Sequence, residues 1–381
     1  MKSARAWDYS VQVTREVIST AAPLVQAVRG RRCLVVTTQT VHRLYPNLFE
    51  TVLDRGQGRV HVYIAGRGEA GKTLEAALEI CRRAAVAGVE RNDALIGIGG
   101  GVCTDLTTVA ASLVRRGVAI VKVPTTLIGQ IDAGIGIKGG VNEGRAKNYL
   151  GCFHPPETVL VDPAFLQTLP AAHLRYGLAE VIKIALVGCR QLFDTVANWG
   201  SALVESGFSH PAGAAQEVIA RSIELMLDEL RPNLFEDQDN RRAVDLGHTF
   251  SPLIEGTTGY ALHHGEAVAI DLALSAGIAS ALGYCSQVER EIIYETLSAS
   301  GLPVHHPCLT PELCWRAMER AAAHRCGAVN LVVPAGIGQV AFVEQAASVS
   351  LELLAEVIAH LGRRQERWSG QAGAVAQQSL R

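Results

Sequence analysis

The first half of the chain alternates between short β-branched runs and amphipathic helical segments, and this alternation limits the possible folds more than any other feature. The strand-like runs include Cys33–Thr37, Val60–Ile64, Ala94–Ile98 and Ala119–Val123. Between them, Thr73–Ala87 carries apolar residues at helical spacing. Strands that alternate with helices predict a parallel sheet with helices on its faces.

The second half changes character from about Pro170 onward, where helical patterns dominate. His264–Leu282 has the Ala, Leu, Ile and Val content of a buried helix. We therefore predict an α/β, Rossmann-like nucleotide-binding domain over residues 1–168. A mainly α-helical metal- and substrate-binding domain would follow over residues 169–362. The polar, small-residue-rich segment 363–381 predicts a disordered tail.

The composition excludes several classes of partner. A formal net charge of −2 gives no reason to expect nucleic acid or an anionic membrane. No apolar run is long enough to span a bilayer, and the first residues lack the apolar stretch of a secretory signal, so we expect a cytoplasmic protein. The nine cysteines occur singly, which favours reduced thiols over a disulfide framework or a zinc knuckle.

Three short segments carry residues typical of a metal site. Asp245–Pro252 and His263–Val268 each place a histidine beside a glycine and apolar residues, and Gly177–Lys183 adds a glutamate in an apolar helical stretch. One carboxylate and two imidazoles can bind a divalent metal and leave room for substrate. The predicted ligands are Glu180, His248 and His264.

Structural explanations compete with metal binding at these positions. A single histidine in apolar surroundings is more often a hydrogen-bonded core residue than a ligand, and His263 competes with His264 for the ligand role. Glu180 and Lys183 lie three residues apart and share a helix face. A solvated helix face is the alternative for this pair, but its apolar neighbours indicate that it has polar partners.

A glycine-rich turn, Ile96–Asp105, lies where a strand meets a helix. Glycines allow a backbone to approach a pyrophosphate, and a helix N-terminus favours negative charge. The spacing differs from the standard dinucleotide fingerprint because Val102 occupies the third glycine position, so a tight structural turn is an equal alternative. Val123–Thr126 adds two hydroxyls after the next strand, and Gly68–Lys72 adds an acid and a base, which together favour a nucleotide site.

A polar, glycine-rich stretch follows, comprising Asp132–Lys138, Val141–Asn142 and Lys147–Asn148. Its lysines can bind a phosphate as point charges. An exposed loop with ordinary lysines is the alternative, and the neighbouring nucleotide-type turn favours the functional interpretation.

Taken together, these segments resemble the sugar phosphate cyclase superfamily, whose best-known members are the 3-dehydroquinate synthases. The resemblance extends from about Glu69 to Val343 and rests on GGGVCTD, VPTTL, DAGIGIK, GRAKN, FLQTLP, GLAEVIK, GHTFSP and HGEAVA. It implies zinc or cobalt on the three predicted ligands. It also implies a bound NAD that is contacted by Glu69, Lys72, Gly100, Gly101, Val102, Asp105, Thr125, Thr126, Lys138, Lys147, Phe165 and Thr168. One local departure is Thr38, where family members often carry an acid near the adenosine ribose.

The resemblance further implies residues that face a sugar phosphate and serve its chemistry. Lysine and arginine side chains would neutralise the phosphate or developing oxyanions, and Asp132 and Asn148 would orient hydroxyls. The implied set is Arg116, Asp132, Lys138, Asn148, Lys183, Arg241 and Asp245.

Departures from the dehydroquinate synthase pattern indicate a branch of the superfamily. This chain has Asp245 where those enzymes carry Asn, Pro252 where they carry His, and Met226 where they carry Lys. Near the C-terminus it has His324–Arg325 where they show paired lysines. Loss of cationic and amide groups suits a substrate without a carboxylate. The pattern is similar to that of the 2-epi-5-epi-valiolone synthases, which act on sedoheptulose 7-phosphate.

The implied reaction converts sedoheptulose 7-phosphate to 2-epi-5-epi-valiolone with phosphate release, for C7-cyclitol natural products. Its stages are transient oxidation by NAD, elimination, reduction and intramolecular aldol closure, and the resemblance implies a homodimer. Alternatives on the same substrate are a 2-epi-valiolone synthase and a desmethyl-4-deoxygadusol synthase. More distant alternatives are a 3-dehydroquinate synthase, a metal-dependent polyol dehydrogenase and an inactive nucleotide-binding partner protein.

Overall fold

The chain divides into two compact units, Met1–Leu169 and Pro170–Arg381, one residue beyond the predicted boundary. Each unit has its own secondary-structure content, an α/β layer structure in the first and mainly helices in the second. The computed structural model describes residues 8–66, 68–144, 146–237, 241–324 and 329–378.

The first unit is built on a parallel sheet. Its strands are β1 (Ser10–Val13), β2 (Cys33–Thr38), β3 (Val60–Ala65), β4 (Ala94–Gly99), β5 (Ala119–Pro124), β6 (Lys138–Glu143), β7 (Ala146–Phe153) and β8 (Thr158–Val161). Six of them form the sheet, in the order β1-β8-β5-β4-β2-β3 with parallel neighbours. The α/β prediction is thus confirmed. The sequence did not predict the antiparallel pair β6–β7, because a glycine- and lysine-rich segment has little strand propensity.

Helices cover both faces of this sheet. They are α1 (Glu16–Ser19), α2 (Ala22–Val28), α3 (Gln39–Leu44), α4 (Pro46–Gly56), α5 (Leu74–Val86) and α6 (Gly101–Leu113). Side chains alternate along β4, so Ile96 joins the apolar core with Leu24 and Phe49, while Leu95 joins the other core with Ile80 and Leu106. Burial on both faces explains the nearly continuous apolar runs of the central strands.

The second unit is mainly helical, as predicted. It contains α7 (Ala171–Gly188), α8 (Arg190–Glu205), α9 (Ala212–Leu230), α10 (Ser251–Thr257), α11 (His264–Ala281), α12 (Gln287–Ala299), α13 (Pro311–His324), α14 (Leu351–Gln378) and the antiparallel strands β9 (Leu331–Pro334) and β10 (Val340–Val343). Helix α11 is buried along almost its whole length and packs against α7, α10, α12 and α14. Even so, neither α11 nor another helix in the described ranges has the combined length and apolarity that a bilayer crossing needs.

The segment from residue 363, which we predicted as a disordered tail, continues α14 as far as Gln378 in the structure. Arg364 forms a salt bridge with Glu291, and the side-chain oxygen of Gln365 accepts a hydrogen bond from the backbone N–H of Val304 at 2.9 Å. The segment is rich in Arg, Gln and Ala, which all favour helix. Its polar composition could not reveal these contacts with the rest of the unit.

A buried carboxylate holds the start of α10, directly after the His248 turn. Asp271, on α11, accepts hydrogen bonds from the backbone N–H groups of Phe250 at 2.6 Å and Ser251 at 2.8 Å, and from the hydroxyl of Ser275 at 3.1 Å. Burial raises the pKa of Asp271 from 3.8 to about 6, against the lowering effect of these donors. The side chain therefore joins two helices at a cost in ionisation free energy.

This raised pKa predicts a specific pH dependence of stability. Between about pH 4 and pH 6 the folded protein binds more protons at Asp271 than the unfolded chain does, so this residue's contribution to stability falls as pH rises through that window. Asp271→Asn keeps an acceptor for the backbone N–H groups and should remove that fall. Asp271→Ala leaves both N–H groups unpaired and should cost about 1–3 kcal/mol for each at every pH.

Urea unfolding of the three proteins between pH 4 and pH 8 measures these differences. An Asn variant whose stability difference from the wild type stays constant across the window would contradict the assignment of the titrating group.

Candidate metal and nucleotide sites

Three residues from separate segments of the second unit converge on one point. Glu180 lies within α7, His264 begins α11, and His248 lies in the turn before α10. One oxygen or nitrogen atom from each lies within 4.8 Å of the others. Nε2 of His264 is 3.0 Å from Oε1 of Glu180, and Nε2 of His248 is 3.7 Å from the same oxygen. The structure thus brings together the three predicted ligands.

The second ring nitrogen of each histidine has its own partner. Nδ1 of His248 lies 3.1 Å from the carbonyl oxygen of Leu246, to which it can only donate, so its Nε2 carries the lone pair. Nδ1 of His264 lies 2.9 Å from Oε1 of Glu255, a buried acid that sequence reasoning missed. Metal-binding histidines usually bond a carbonyl or a carboxylate in this way. The donor set and its orientation therefore fit a divalent metal such as zinc.

Electrostatics keep the central carboxylate charged. Nζ of Lys183 lies 2.7 Å from Oε2 of Glu180, and both side chains are buried. Burial opposes ionisation of Glu180, but Lys183 and the two histidines outweigh it and hold its pKa well below the usual value. Burial lowers the pKa of His248.

The pKa of His264 moves the other way. Burial disfavours its protonated form, but the carboxylates of Glu180 and Glu255 outweigh burial and raise the pKa to about 9. In the metal-free protein this imidazole is protonated at neutral pH, so it must release a proton before it can donate a lone pair to a metal.

A glycine allows α7 and α11 to approach closely at this site. A Cβ on Gly265 would lie 2.3 Å from Cα and 2.4 Å from the carbonyl oxygen of Tyr176, so no side chain fits there. The ring of His263 stacks on Tyr176 at 4.8 Å, and its backbone N–H donates to Glu266 at 2.9 Å. Of the two adjacent histidines, His264 is the one in contact with Glu180.

The contact at Gly265 predicts that Gly265→Ala pushes α11 away from α7 and separates His264 from Glu180. We expect loss of most of the bound metal and destabilisation by about 1–3 kcal/mol. The control is Gly256→Ala on α10, where an added Cβ meets nothing within 4 Å. Elemental analysis and thermal unfolding distinguish the two; full metal content in Gly265→Ala would contradict this account of the helix contact.

A second prediction concerns Glu255. Replacing it with Gln preserves its size but removes the charge beside Nδ1 of His264, so metal affinity should fall about 10–100-fold. The matched control is Glu266→Gln, which removes a charge at the same helix start without touching the cluster. Competition with a chelator measures both affinities, and an unchanged affinity in Glu255→Gln would exclude the orienting role.

In the first unit, polar residues from several segments form one network. Nζ of Lys72 lies 2.5 Å from the carboxylate of Asp105 and donates to Oδ1 of Asn148 at 2.6 Å. Nδ2 of Asn142 donates to Glu69 at 2.9 Å, and Oδ1 of Asn142 accepts from the backbone N–H of Asn148 at the same distance. Burial raises the pKa of Asp105, against the attraction of Lys72. Four of these residues were predicted as site residues; Asn142 was not.

The glycine turn packs closely against its neighbours at two glycines and leaves the backbone open at a third. A Cβ on Gly99 would lie 2.6 Å from Cβ of Cys103, and one on Gly100 would lie 3.0 Å from Cγ2 of Thr126. Gly101 differs, because its Cβ would meet only Ala133, at 3.8 Å, among the described residues. The turn is therefore structurally required, and it also leaves the first turn of the 13-residue helix α6 open, as a pyrophosphate site needs.

The remaining candidates of the first unit lie on several elements. Thr125 and Thr126 follow β5, and the backbone N–H of Thr125 donates to the carbonyl of Gly99 at 3.0 Å. Asp132 lies in a short π-helix, Gly129–Ala133. The other candidates here are half-buried Val102 on α6, Lys138 on β6 and Lys147 on β7.

The surroundings of three predicted residues bear on the roles that each can have. Phe165 is buried in the core against Tyr45, with ring centroids 4.9 Å apart, so only its backbone remains for a cofactor contact. Thr168, whose hydroxyl lies 2.6 Å from that of Tyr45, is close by. Arg116 is exposed and precedes β5, at the amino ends of the strands, whereas the glycine turn follows a carboxyl end. The structure does not bring Arg116 together with the other candidates of this unit.

A buried lysine was missed by sequence reasoning. Lys122, within β5, is fully buried, and its Nζ donates to the carbonyl of Gly136 at 2.8 Å. Burial lowers its pKa to about 8, against the attraction of Asp105. A lysine within the apolar run Ala119–Val123 was the available signal.

The last candidates lie in the second unit beside the cluster or at β10. The backbone N–H of His248 donates to the carbonyl of Asp245 at 3.0 Å, so the two belong to one turn. Arg241 forms a salt bridge with Glu344, and its guanidinium lies 5.7 Å from the ring centre of Phe342 on β10. Arg145 of the GRAKN segment, Arg325 and the side chain of His324 lie outside the described residues.

Comparison with known proteins agrees with this architecture. Family models described as 3-dehydroquinate synthase N-terminal and C-terminal match residues 62–176 and 177–322. A 2-epi-5-epi-valiolone synthase of Streptomyces glaucescens is 40% identical over 93% of this chain and 92% of its own length. A 3-dehydroquinate synthase of Rhodopseudomonas palustris is 35% identical, covering 77% of each chain.

A solved structure is also similar. It is a 2-epi-5-epi-valiolone synthase from Streptomyces hygroscopicus subsp. jinggangensis 5008 with NAD+ and Zn2+ bound. It superimposes with a TM-score of 0.89 at 39% identity, covering 96% of this chain and 99% of that one. This agreement extends over both units of the chain.

Proposed function

The chain belongs to the 3-dehydroquinate synthase family, and we propose that it converts sedoheptulose 7-phosphate to 2-epi-5-epi-valiolone with release of phosphate. The observation that carries the proposal is the convergence of Glu180, His248 and His264, in a chain 40% identical to a synthase of that name. In this role the protein is a carbon–oxygen lyase acting on a phosphate.

We propose NAD and zinc, with cobalt as a substitute, as its cofactors. The glycine turn at α6 and the three metal donors are the groups that would hold them, and the similar solved structure contains NAD+ and Zn2+. When bound, the two would supply transient oxidation of a ring hydroxyl and polarisation of its oxygen.

The protein's own side chains would position the substrate and balance its charge. Lys183 neutralises Glu180 and can also stabilise negative charge that develops on a substrate oxygen. Because the amide oxygen of Asn148 accepts from Lys72, its amide nitrogen is the group that can donate to a substrate hydroxyl. We retain Asp132 as a second orienting group and Lys138 as a phosphate-neutralising group.

Other members of the predicted set have more limited roles. Lys147 remains a candidate cofactor contact, and Arg241 and Asp245 remain candidates for substrate binding. Arg116 also remains a candidate for substrate binding, although it lies at the opposite end of the strands from the glycine turn.

The residues around Asp245 support the proposed substrate. Met226 is buried in an apolar cluster with Leu230 and Val244. Val244 directly precedes Asp245 in the sequence. A lysine in place of Met226 could pair with a substrate carboxylate, whereas methionine cannot, and Asp245 would repel one. These substitutions support a seven-carbon sugar phosphate that has no carboxylate.

The deciding experiment is incubation of the metal-loaded protein and NAD with sedoheptulose 7-phosphate. We expect release of phosphate, a cyclised seven-carbon ketone identified by NMR, and no net accumulation of NADH, because the cofactor is regenerated. The matched control substrate is the heptulosonate phosphate of the shikimate pathway. Phosphate release from the control alone would instead identify a 3-dehydroquinate synthase, and NADH accumulation with a simple polyol would identify a dehydrogenase.

The wider context stays a prediction. We propose a cytoplasmic homodimer that serves the biosynthesis of C7-cyclitol natural products, including antibiotics. Its support is the family membership and the names of the similar proteins.

A further inference from the structure

A cavity of about 480 Å³ lies at the carboxyl ends of β2 and β3, in the first unit. Among its described lining residues are an amide, a hydroxyl and a guanidinium side chain, and none of them carries a carboxylate. The lining residues are Gln39, Thr40, Arg43, Ala65 and Gly66. Strand β2 is the direct neighbour of β4, whose carboxyl end leads into the glycine turn.

The position of this cavity corresponds to that of the adenosine ribose in a bound dinucleotide. With the pyrophosphate at the N-terminus of α6, the adenosine ribose extends toward the end of the adjacent strand. Sites selective for NAD place a carboxylate there to accept a hydrogen bond from the ribose 2′-hydroxyl, whereas an arginine accommodates the 2′-phosphate of NADP. A carboxylate also repels that phosphate, so the residue at this strand end controls discrimination between the two coenzymes.

In this chain β2 ends at Thr38, which carries no charge. Its hydroxyl oxygen accepts from the backbone N–H of Val41 at 3.4 Å and so caps α3. Arg43, on the same helix, is exposed and forms no ion pair with the described residues. An arginine therefore borders the cavity, and no acid of the described part of the chain forms an ion pair with it.

The acid closest in sequence to the carboxyl ends of β2 and β3 forms a hydrogen bond outside the cavity. Glu69 follows β3, and its carboxylate accepts from Nδ2 of Asn142 at 2.9 Å, within the network that contains Lys72 and Asp105. It does not line the cavity. The carboxylate of Glu69 thus contacts the β6–β7 pair and not the cavity.

We propose that the cavity accepts a ribose 2′-phosphate, with Arg43 as its partner, so that the protein binds NADP+ as well as NAD+. The inference rests on the proposed function only in placing a dinucleotide at the glycine turn. It assigns to Thr38 and Arg43 a role in coenzyme specificity.

Binding measurements test this directly. Calorimetric Kd values for NAD+ and NADP+ on the metal-loaded protein should agree within about tenfold. Arg43→Gln should weaken NADP+ by at least about tenfold through loss of a charge-assisted hydrogen bond, and leave NAD+ nearly unchanged. Arg55→Gln, the same charge change on exposed Arg55 at the far end of α4, is the matched control and should alter neither.

Thr38→Asp provides a second, independent variant. Aspartate is an equally good helix cap, so the fold should be retained, while the new carboxylate should weaken NADP+ selectively. Competition by 2′,5′-ADP against 5′-ADP isolates the contribution of the 2′-phosphate, and inorganic phosphate serves as the probe for simple anion binding.

The outcomes separate this inference from the proposed function. Tight NAD+ binding with no measurable NADP+ binding would overturn the inference and leave the proposed function intact. Equal weakening of both coenzymes by Arg43→Gln, or competition by inorganic phosphate as strong as by 2′,5′-ADP, would also overturn it. Absence of binding by either coenzyme would contradict the proposed function itself.

Discussion

The second unit depends on the pairing of one buried carboxylate, that of Glu180, with the cationic and imidazole groups around it. A buried charge is costly unless it is paired, and Lys183 supplies the pairing from one turn further along α7. The two histidines complete its surroundings from the segments that begin α10 and α11. Because α11 is also the centre of the apolar core, the position of the metal donors and the packing of the unit are parts of one arrangement.

The first unit also contains a charged pair that is shielded from water, and there amide side chains complete its hydrogen bonds. Lys72 and Asp105 form a partly buried pair, and Asn142 and Asn148 extend it to the β6–β7 pair and to Glu69. The glycine turn beside it is needed for packing at Gly99 and is open at Gly101. Such a network favours one orientation of its side chains, which suits a site that must hold a dinucleotide in a single pose.

Specificity depends on residues next to those that supply the chemistry. Met226 and Asp245 lie beside the His248 turn and would select against a substrate carboxylate. Thr38 and Arg43 lie one strand away from the glycine turn and would relax the choice of coenzyme. Changes at such neighbours alter what is bound while the ligand set stays the same, which is a common route to new substrates within one fold.

Local patterns in the sequence were sufficient for the elements and for the donor types. The β-branched runs predicted β2 to β5, and the spacing of three residues placed Glu180 and Lys183 on one helix face. Periodicity reports how one segment is buried, but not which distant segment it meets. Only the tertiary structure brought His264 to Glu180, 84 residues away, and placed the ring of His263 against Tyr176 instead. It alone revealed the partners Glu255 and Asp271, because these contacts depend on packing between elements rather than on sequence near each residue.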